Sequence, residues 1–325
     1  MLSGLPPDLL RVFERSITTE FVTVDAHGQP VVWPVTPYFH PEEGCIDVST
    51  GIGYPKKADD AERNPRVALL FSDPTGSGLP DPPMVLVQGT AAVDDRDLRA
   101  NRERYAREAA AKLPAVGSLL PPKALRRFFS WYFDRIYVHV RPERVFSWRG
   151  RDPETEPELL DAHLEEVRSG RNEEPEEDHA PPEGGRATWT PRLDELGARY
   201  ASAVLAVVAP DGFPSAVRVP VRADRAAGVV RIECDPVGVP LGPGRACLTA
   251  HDHAPDFSWQ RNFQVRGDLA EADDGGWILR PHRLVGGFEL PPGSSLDRYR
   301  LNARKVSRMR KRAKAEQRRR AGARG

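Results

Sequence analysis

Short alternating or wholly apolar runs, broken by turn residues, dominate this chain. Leu9, Leu10 and Phe13 are spaced as one face of a helix over residues 6–15, with Asp8 near its start. Phe21 to Asp25 and Pro30 to Tyr38 flank the turn Ala26-His27-Gly28-Gln29, a hairpin signal. Glu42-Glu43-Gly44 is a second turn, and Cys45 to Ser49 a third strand. Lys56 to Arg63 reads as a short helix closed by Asn64-Pro65, because proline drives the preceding residue out of the helical region. Arg66 to Ser72 is an apolar strand, Asp73 to Pro83 a Gly- and Pro-rich loop, and Met84 to Val93 another strand. Leu98 to Ala111 has a helical pattern with charges on one side; Lys123 to Phe133 is amphipathic and aromatic. Ile136 to Val140 is a closing strand. Short strands with helices confined to the connections predict a small antiparallel barrel. A doubly wound sheet would need strands and helices in regular alternation.

The pattern then recurs. His27-Gly28-Gln29-Pro30-Val31-Val32-Trp33-Pro34-Val35 has a counterpart in Asp211-Gly212-Phe213-Pro214-Ser215-Ala216-Val217-Arg218-Val219-Pro220-Val221. In the same order, Cys45 to Ser49 matches Val230 to Cys234, and Pro65 to Leu70 matches Gly244 to Thr249. Val85 to Ala91 matches Phe263 to Leu269, and Tyr137 to Pro142 matches Trp277 to His282. One element is missing from the second copy: where the first carries Lys56 to Asn64, the second has only Pro240-Leu241-Gly242-Pro243. The expected class is therefore mainly β: tandem barrels, one with a working site and one a degenerate scaffold. The expected organisation is a first domain over 1–150, an acidic linker over 151–188 with a short helix around Leu159 to Val167, a second domain over 189–296, and a basic tail over 297–325.

Composition adds constraints. The formal charge of the 325 residues is zero, but it is segregated. Residues 151–185 hold thirteen Asp or Glu against three Arg, a net of −10; residues 298–325 hold thirteen Lys or Arg against Glu316, a net of +12. Blocks of like charge repel and bury little apolar surface, so the tail is expected to be a frayed helix or disordered. It lacks interleaved aromatics for base stacking, so nucleic acid is not the expected partner. No apolar run approaches the ~20 residues of a membrane span, and the start lacks a secretory pattern, so a cytoplasmic protein is expected. Cys45, Cys234 and Cys247 are too few and scattered for a disulfide framework. His251-Asp252-His253 is the one local pattern of metal-ligand type, but a distant third ligand would be needed, and no metal is predicted.

Several first-half motifs, in order and over roughly residues 16–148, resemble the split-barrel flavin-binding family typified by pyridoxamine 5′-phosphate oxidase and its deazaflavin-dependent relatives. They are Pro30-Val31-Val32-Trp33-Pro34-Val35, Val48-Ser49-Thr50-Gly51, Lys56-Lys57, Asn64-Pro65-Arg66-Val67-Ala68-Leu69 and Val87-Gln88-Gly89-Thr90-Ala91. The second half matches only as a weaker repeat, and the C-terminal phosphate-binding stretch of true oxidases has no counterpart here. The resemblance implies a flavin-type cofactor, FMN or deazaflavin with haem as a remoter option. It also implies a homodimer or intrachain pseudo-dimer, and an oxidoreductase acting on a small organic substrate or else a non-catalytic carrier of the cofactor.

For the phosphate, Ser49, Thr50 and Gly51 supply hydroxyls and accessible backbone N–H groups at a strand end, and Lys56 and Lys57 open the next helix. Cations at that end oppose the helix dipole, which makes better sense with an anion between them. Arg66 is a weaker phosphate candidate. For the ring, the resemblance implies Trp33, Pro34 and Gln88. No side chain stands out as a general acid or nucleophile, as expected where a cofactor performs the hydride chemistry.

Overall fold

A computed structural model describes residues 4–113, 130–161, 188–290 and 295–322. It is mainly β. The first unit contains α1 (Pro7–Arg15), β1 (Thr19–Val24), β2 (Pro30–Val35), β3 (Tyr38–His40), β4 (Cys45–Gly51), α2 (Lys56–Arg63), β5 (Arg66–Phe71), β6 (Met84–Asp94), α3 (Leu98–Lys112), α4 (Ser130–Phe133), β7 (Arg135–Trp148) and β8 (Glu158–Asp161). The second contains β9 (Ser202–Val208), β10 (Pro214–Asp224), β11 (Val229–Ile232), β12 (Gly244–His253), β13 (Gln260–Glu271) and β14 (Trp277–Leu290), and α5 (Ser295–Gly322) follows. Among the described residues no helix is long and apolar enough to cross a membrane.

The second unit closes as a barrel in the order β10-β11-β14-β13-β12-β9, while the first runs β2-β1-β5-β6-β7-β4-β3 with β8 added to β7. The two orders correspond once one strand is seen to be split. The start of β10 pairs with β9 and its end with β11, whereas in the first unit β2 pairs with β1 and β3 pairs with β4. Thr36-Pro37 interrupts that strand, and proline has no N–H to contribute to a ladder. Both units also carry the same bulge. Gly89 lies opposite Pro142 beside a register shift, and Gly267 lies opposite Pro281 beside another. A Cβ at either glycine would sit 2.1 Å from Arg141 O or 2.4 Å from Arg280 O, so only glycine lets the strands approach this closely.

One core lies inside the first unit, built from Phe13, Phe21, Ile46, Val48, Leu69, Val87 and Ile136 with the inner faces of α1 and α2. The other is continuous across the units: Val22, Val32, Leu70, Leu86 and Trp148 join Leu205, Val217, Leu248, Phe263 and Val265. Polar residues along this seam are paired across it. Glu20 and Asp73 meet His251, His253 and Arg218: His251 Nε2 lies 2.5 Å and Arg218 3.0 Å from Glu20, and His253 Nε2 lies 3.4 Å from Asp73. Burial would raise the Glu20 carboxyl; the hydrogen bond and charge of His251, and then Arg218, outweigh it and hold it low.

Two expectations change. Over its described residues the basic segment is a single helix: α5 docks on the first unit, with Met309, Ala313, Glu316 and Arg320 buried along one face. Arg320 reaches Asp95 at 2.7 Å and also bonds Asp59, Arg319 reaches Asp59 at 2.6 Å, and Gln317 donates to Asp134 at 2.9 Å. The inner face is mostly ionic, so a search for apolar periodicity passes over it. Within the expected linker, Glu158–Asp161 is a strand, not the start of a helix. The remainder of that helix and of the linker, and residues 123–129 of the amphipathic segment, lie outside the described residues.

Gly89→Ala should cost about 2–3 kcal/mol. Gly242→Ala, with open space at its Cβ, should leave chemical denaturation unchanged, and comparing the two curves checks the bulge.

Candidate functional site

Strand β4 ends at Thr50-Gly51, and the chain then turns through Ile52-Gly53-Tyr54-Pro55 into α2. The turn is held by Thr50 Oγ1 donating to Tyr54 O at 2.8 Å and Tyr54 N donating to Gly51 O at 2.7 Å. The backbone of α4 covers it: Gly53 N donates to Trp131 O at 3.1 Å, and a Cβ at Gly51 would lie 3.1 Å from the carbonyls of Trp131 and Tyr132. Met309 of α5 flanks Gly53.

Of the two lysines that open α2, the first is spent locally. Lys56 binds Asp60 at 2.8 Å and approaches Asp25 at 3.6 Å. Lys57 is different. Its Nζ lies 3.4 Å from Thr50 Oγ1, and among the described residues no carboxylate comes within ion-pair distance. Burial first, and the nearby Arg135 charge second, push the ammonium down to about 8. Arg135 opens β7 opposite Gly51 in register. It is buried, with its guanidinium 3.8 Å from the Tyr105 ring centre and 4.5 Å from that of Tyr132. Its Nε has no hydrogen-bond partner among the described residues. Arg135 is buried against aromatic rings and Lys57 is half-buried, and a cation drawn out of water is costly unless something negative joins it. Lys57, Arg135 and Thr50 together form a cationic cradle at the N-terminal end of a helix, with the charge and donors that an anion requires.

Thr50, Gly51 and Lys57 thus come together, and Arg135 joins them. Sequence reasoning passed over Arg135, whose only signal was a charged residue starting a closing strand. Ser49 is on β4 but on the alternate face, paired in register with Tyr137. The remaining predicted residues lie elsewhere. Arg66 is exposed and faces the second unit, 5.7 Å from the Phe213 ring centre. Gln88 is buried in the seam and donates to Pro214 O at 3.0 Å. Pro34 borders a cavity of only about 10 Å³ shared with Thr18, His251, His253 and Phe257, far below the ~300 Å³ at which cofactor-sized pockets begin. Trp33 points the other way, against the core of the first unit. The residues assigned to a ring do not converge on the cradle. His251 and His253 are engaged across the seam while Asp252 pairs outward with Arg199 at 3.6 Å, so this triplet does not close on one centre.

A second polar group lies at the other end of β4. Asp47 is fully buried and accepts from His139 Nδ1 at 2.8 Å, from Cys45 Sγ at 3.4 Å and from Arg104.

No family model matches the sequence, and no curated protein matches it. Among solved structures, the chain is similar to General Stress Protein 26 of Bacillus anthracis (16% identity, TM-score 0.31), covering 47% of this chain and 95% of that one. It is also similar to an F420 reductase (20% identity, TM-score 0.33; 43% and 98% covered). A third is an FAD-binding protein of Mesorhizobium loti (17% identity, TM-score 0.30; 43% and 92% covered).

Replacing Lys57 by Met should leave the ligand-free protein as stable or more so, because a desolvated charge is removed. The sign follows from linkage. With its folded pKa near 8 and an ordinary value of 10.5, Lys57 costs the fold stability while protonated and less as pH rises through that window. The stability gap between Lys57→Met and wild type should therefore shrink from about pH 7 to about pH 10, read by denaturant titration at each pH.

Proposed function

We propose that this chain binds one phosphate-bearing flavin-type cofactor, FMN or deazaflavin, and uses it for hydride transfer to or from a small organic substrate. The observation that carries the reading is the pair of sequestered cations, Lys57 and Arg135, with no carboxylate partner among the described residues. Structural ion pairs satisfy both charges; here one sign is missing, and Thr50 Oγ1 adds a polar atom beside it. The motif order in the first half supports a flavin over an arbitrary phosphate ester.

In this reading Lys57 and Arg135 hold the phosphate, and Thr50 and the Gly51 backbone orient it. The cofactor would supply the hydride chemistry when bound. The protein's part is position and charge. Trp33, Pro34 and Gln88 are not assigned to the ring, because Gln88 and Pro34 serve the seam and Trp33 the core.

We also infer that the chain arose by internal duplication and acts as an intrachain pseudo-dimer. The matching strand orders and the paired glycine bulges support this. The second unit has no helix between β11 and β12 and hence no counterpart of Lys57, so it adds no second cradle.

Titration of apoprotein with FMN should give one site per chain. Lys57→Met should weaken FMN by roughly 10- to 100-fold, the loss of one charge-assisted bond, and leave the much weaker binding of riboflavin, which has no phosphate, unchanged. Equal loss for both ligands, or two equal sites, would move the phosphate elsewhere.

A further inference from the structure

The geometry points to a transition-metal site at Cys45, Asp47, His139 and His40, taking zinc or a cation of similar preference. Strand register assembles it. Cys45 and Asp47 alternate onto one face of β4; His40 on β3 lies opposite Cys45, and His139 on β7 lies opposite Asp47. Four side chains of ligand type thus share one face of three adjacent strands, with His40 and His139 on either side of β4. Cys45 Sγ, an Asp47 oxygen and His139 Nδ1 lie within 4.8 Å of one another. His40 Nε2 lies 3.6 Å from the other Asp47 oxygen.

The donor chemistry is selective. One sulfur, imidazole nitrogens and one carboxylate oxygen suit Zn²⁺ or Co²⁺, while Ca²⁺ and Mg²⁺ prefer oxygen throughout. Tetrahedral Zn²⁺ with bonds of about 2.0–2.3 Å needs donors roughly 3.3–3.8 Å apart; Cys45 Sγ and Asp47 already lie 3.4 Å apart, while His139 Nδ1, at 2.8 Å from Asp47, and His40, which approaches only the other Asp47 oxygen, would shift to admit the ion. Cys45 and Asp47 are buried, whereas His40 and His139 keep 26% and 25% of their side-chain surface exposed, which gives an ion a way in from the imidazole edge.

The surroundings accommodate the charge. Arg104 binds Asp47, reaches Glu108 at 2.7 Å and approaches His40 Nε2 at 2.9 Å, and Tyr137 donates to Glu108 at 2.5 Å. Binding would remove a proton from the Cys45 thiol and leave the imidazoles neutral. Cys45 thiolate, Asp47, Glu108 and Glu43, which lies 3.9 Å from Cys45 Sγ, then total four negative charges against three positive from Zn²⁺ and Arg104, an excess that favours the cation. His40 would exchange its contact with Arg104 for the metal, while Arg104 keeps Glu108 and one Asp47 oxygen as an outer partner.

The test uses the full chain, stripped with a chelator and titrated with Co²⁺ and Zn²⁺. One Co²⁺ per chain should bind with a thiolate-to-metal charge-transfer band in the near ultraviolet. The band should vanish in Cys45→Ser and persist in Cys234→Ser, whose thiol lies outside the cluster. His139→Gln should weaken Zn²⁺ by more than the roughly 10- to 100-fold that loss of an outer partner costs. Should Cys45→Ser fail to fold, X-ray absorption on Zn²⁺-loaded wild type decides alone: one sulfur at about 2.3 Å with nitrogen or oxygen at about 2.0 Å is expected. A first shell without sulfur, a band that survives Cys45→Ser, or no binding by folded wild type would overturn the assignment.

Discussion

Glu20 carries its charge where water does not reach, and the groups that hold it, Arg218 and His251, come from the other unit. Removing either partner would strand a buried carboxylate, which costs far more than an exposed pair returns. The two units therefore do not touch as loosely tethered domains. The apolar contacts around Val32, Leu86, Leu205 and Phe263 give the seam its area, and the polar pairs fix its register. Val32 O alone accepts from Gln264 at 2.6 Å and from Thr249 at 3.2 Å, and Gln29 donates to Ala246 O at 2.9 Å.

That constraint decides where chemistry can occur. Two of the three ring residues implied by sequence resemblance, Pro34 and Gln88, lie at the seam. In this chain the seam is filled by its own side chains. What stays unsatisfied is at the β4–α2 turn, where Lys57 and Arg135 lack a counter-charge among the described residues. In the proposed reading, desolvated charge without a partner marks the ligand site and charge with a partner marks structure. Lys56 and Lys57 are adjacent in sequence and fall on opposite sides of that line.

Much of the fold was legible because strands and short helices announce themselves through alternation, glycine and proline. α2 was read to the residue, and α1, β4, β5 and β6 to within about two. The strand orders were not legible, nor was the face each residue presents. Gln88 is one step from Val87, yet that step moves a side chain from the inner core to the seam. Arg135 could not be paired with Lys57 without knowing that β7 lies beside β4. The cluster at Cys45 was invisible for the same reason: His40, Cys45 and Asp47 are near in sequence, but His139 reaches them only through strand pairing. α5 escaped because its docking face is ionic, and charge patterns alone do not separate a solvated helix from a clasped one.

The clasp at Arg320 has a bearing on how the molecule is made. It joins Asp95 and Asp59, more than two hundred positions earlier, so the first unit gains this covering only after the second has left the ribosome. An early barrel held half-finished during synthesis would expose the Gly53 turn and the acidic rim of α2 to its surroundings until α5 folds back over them.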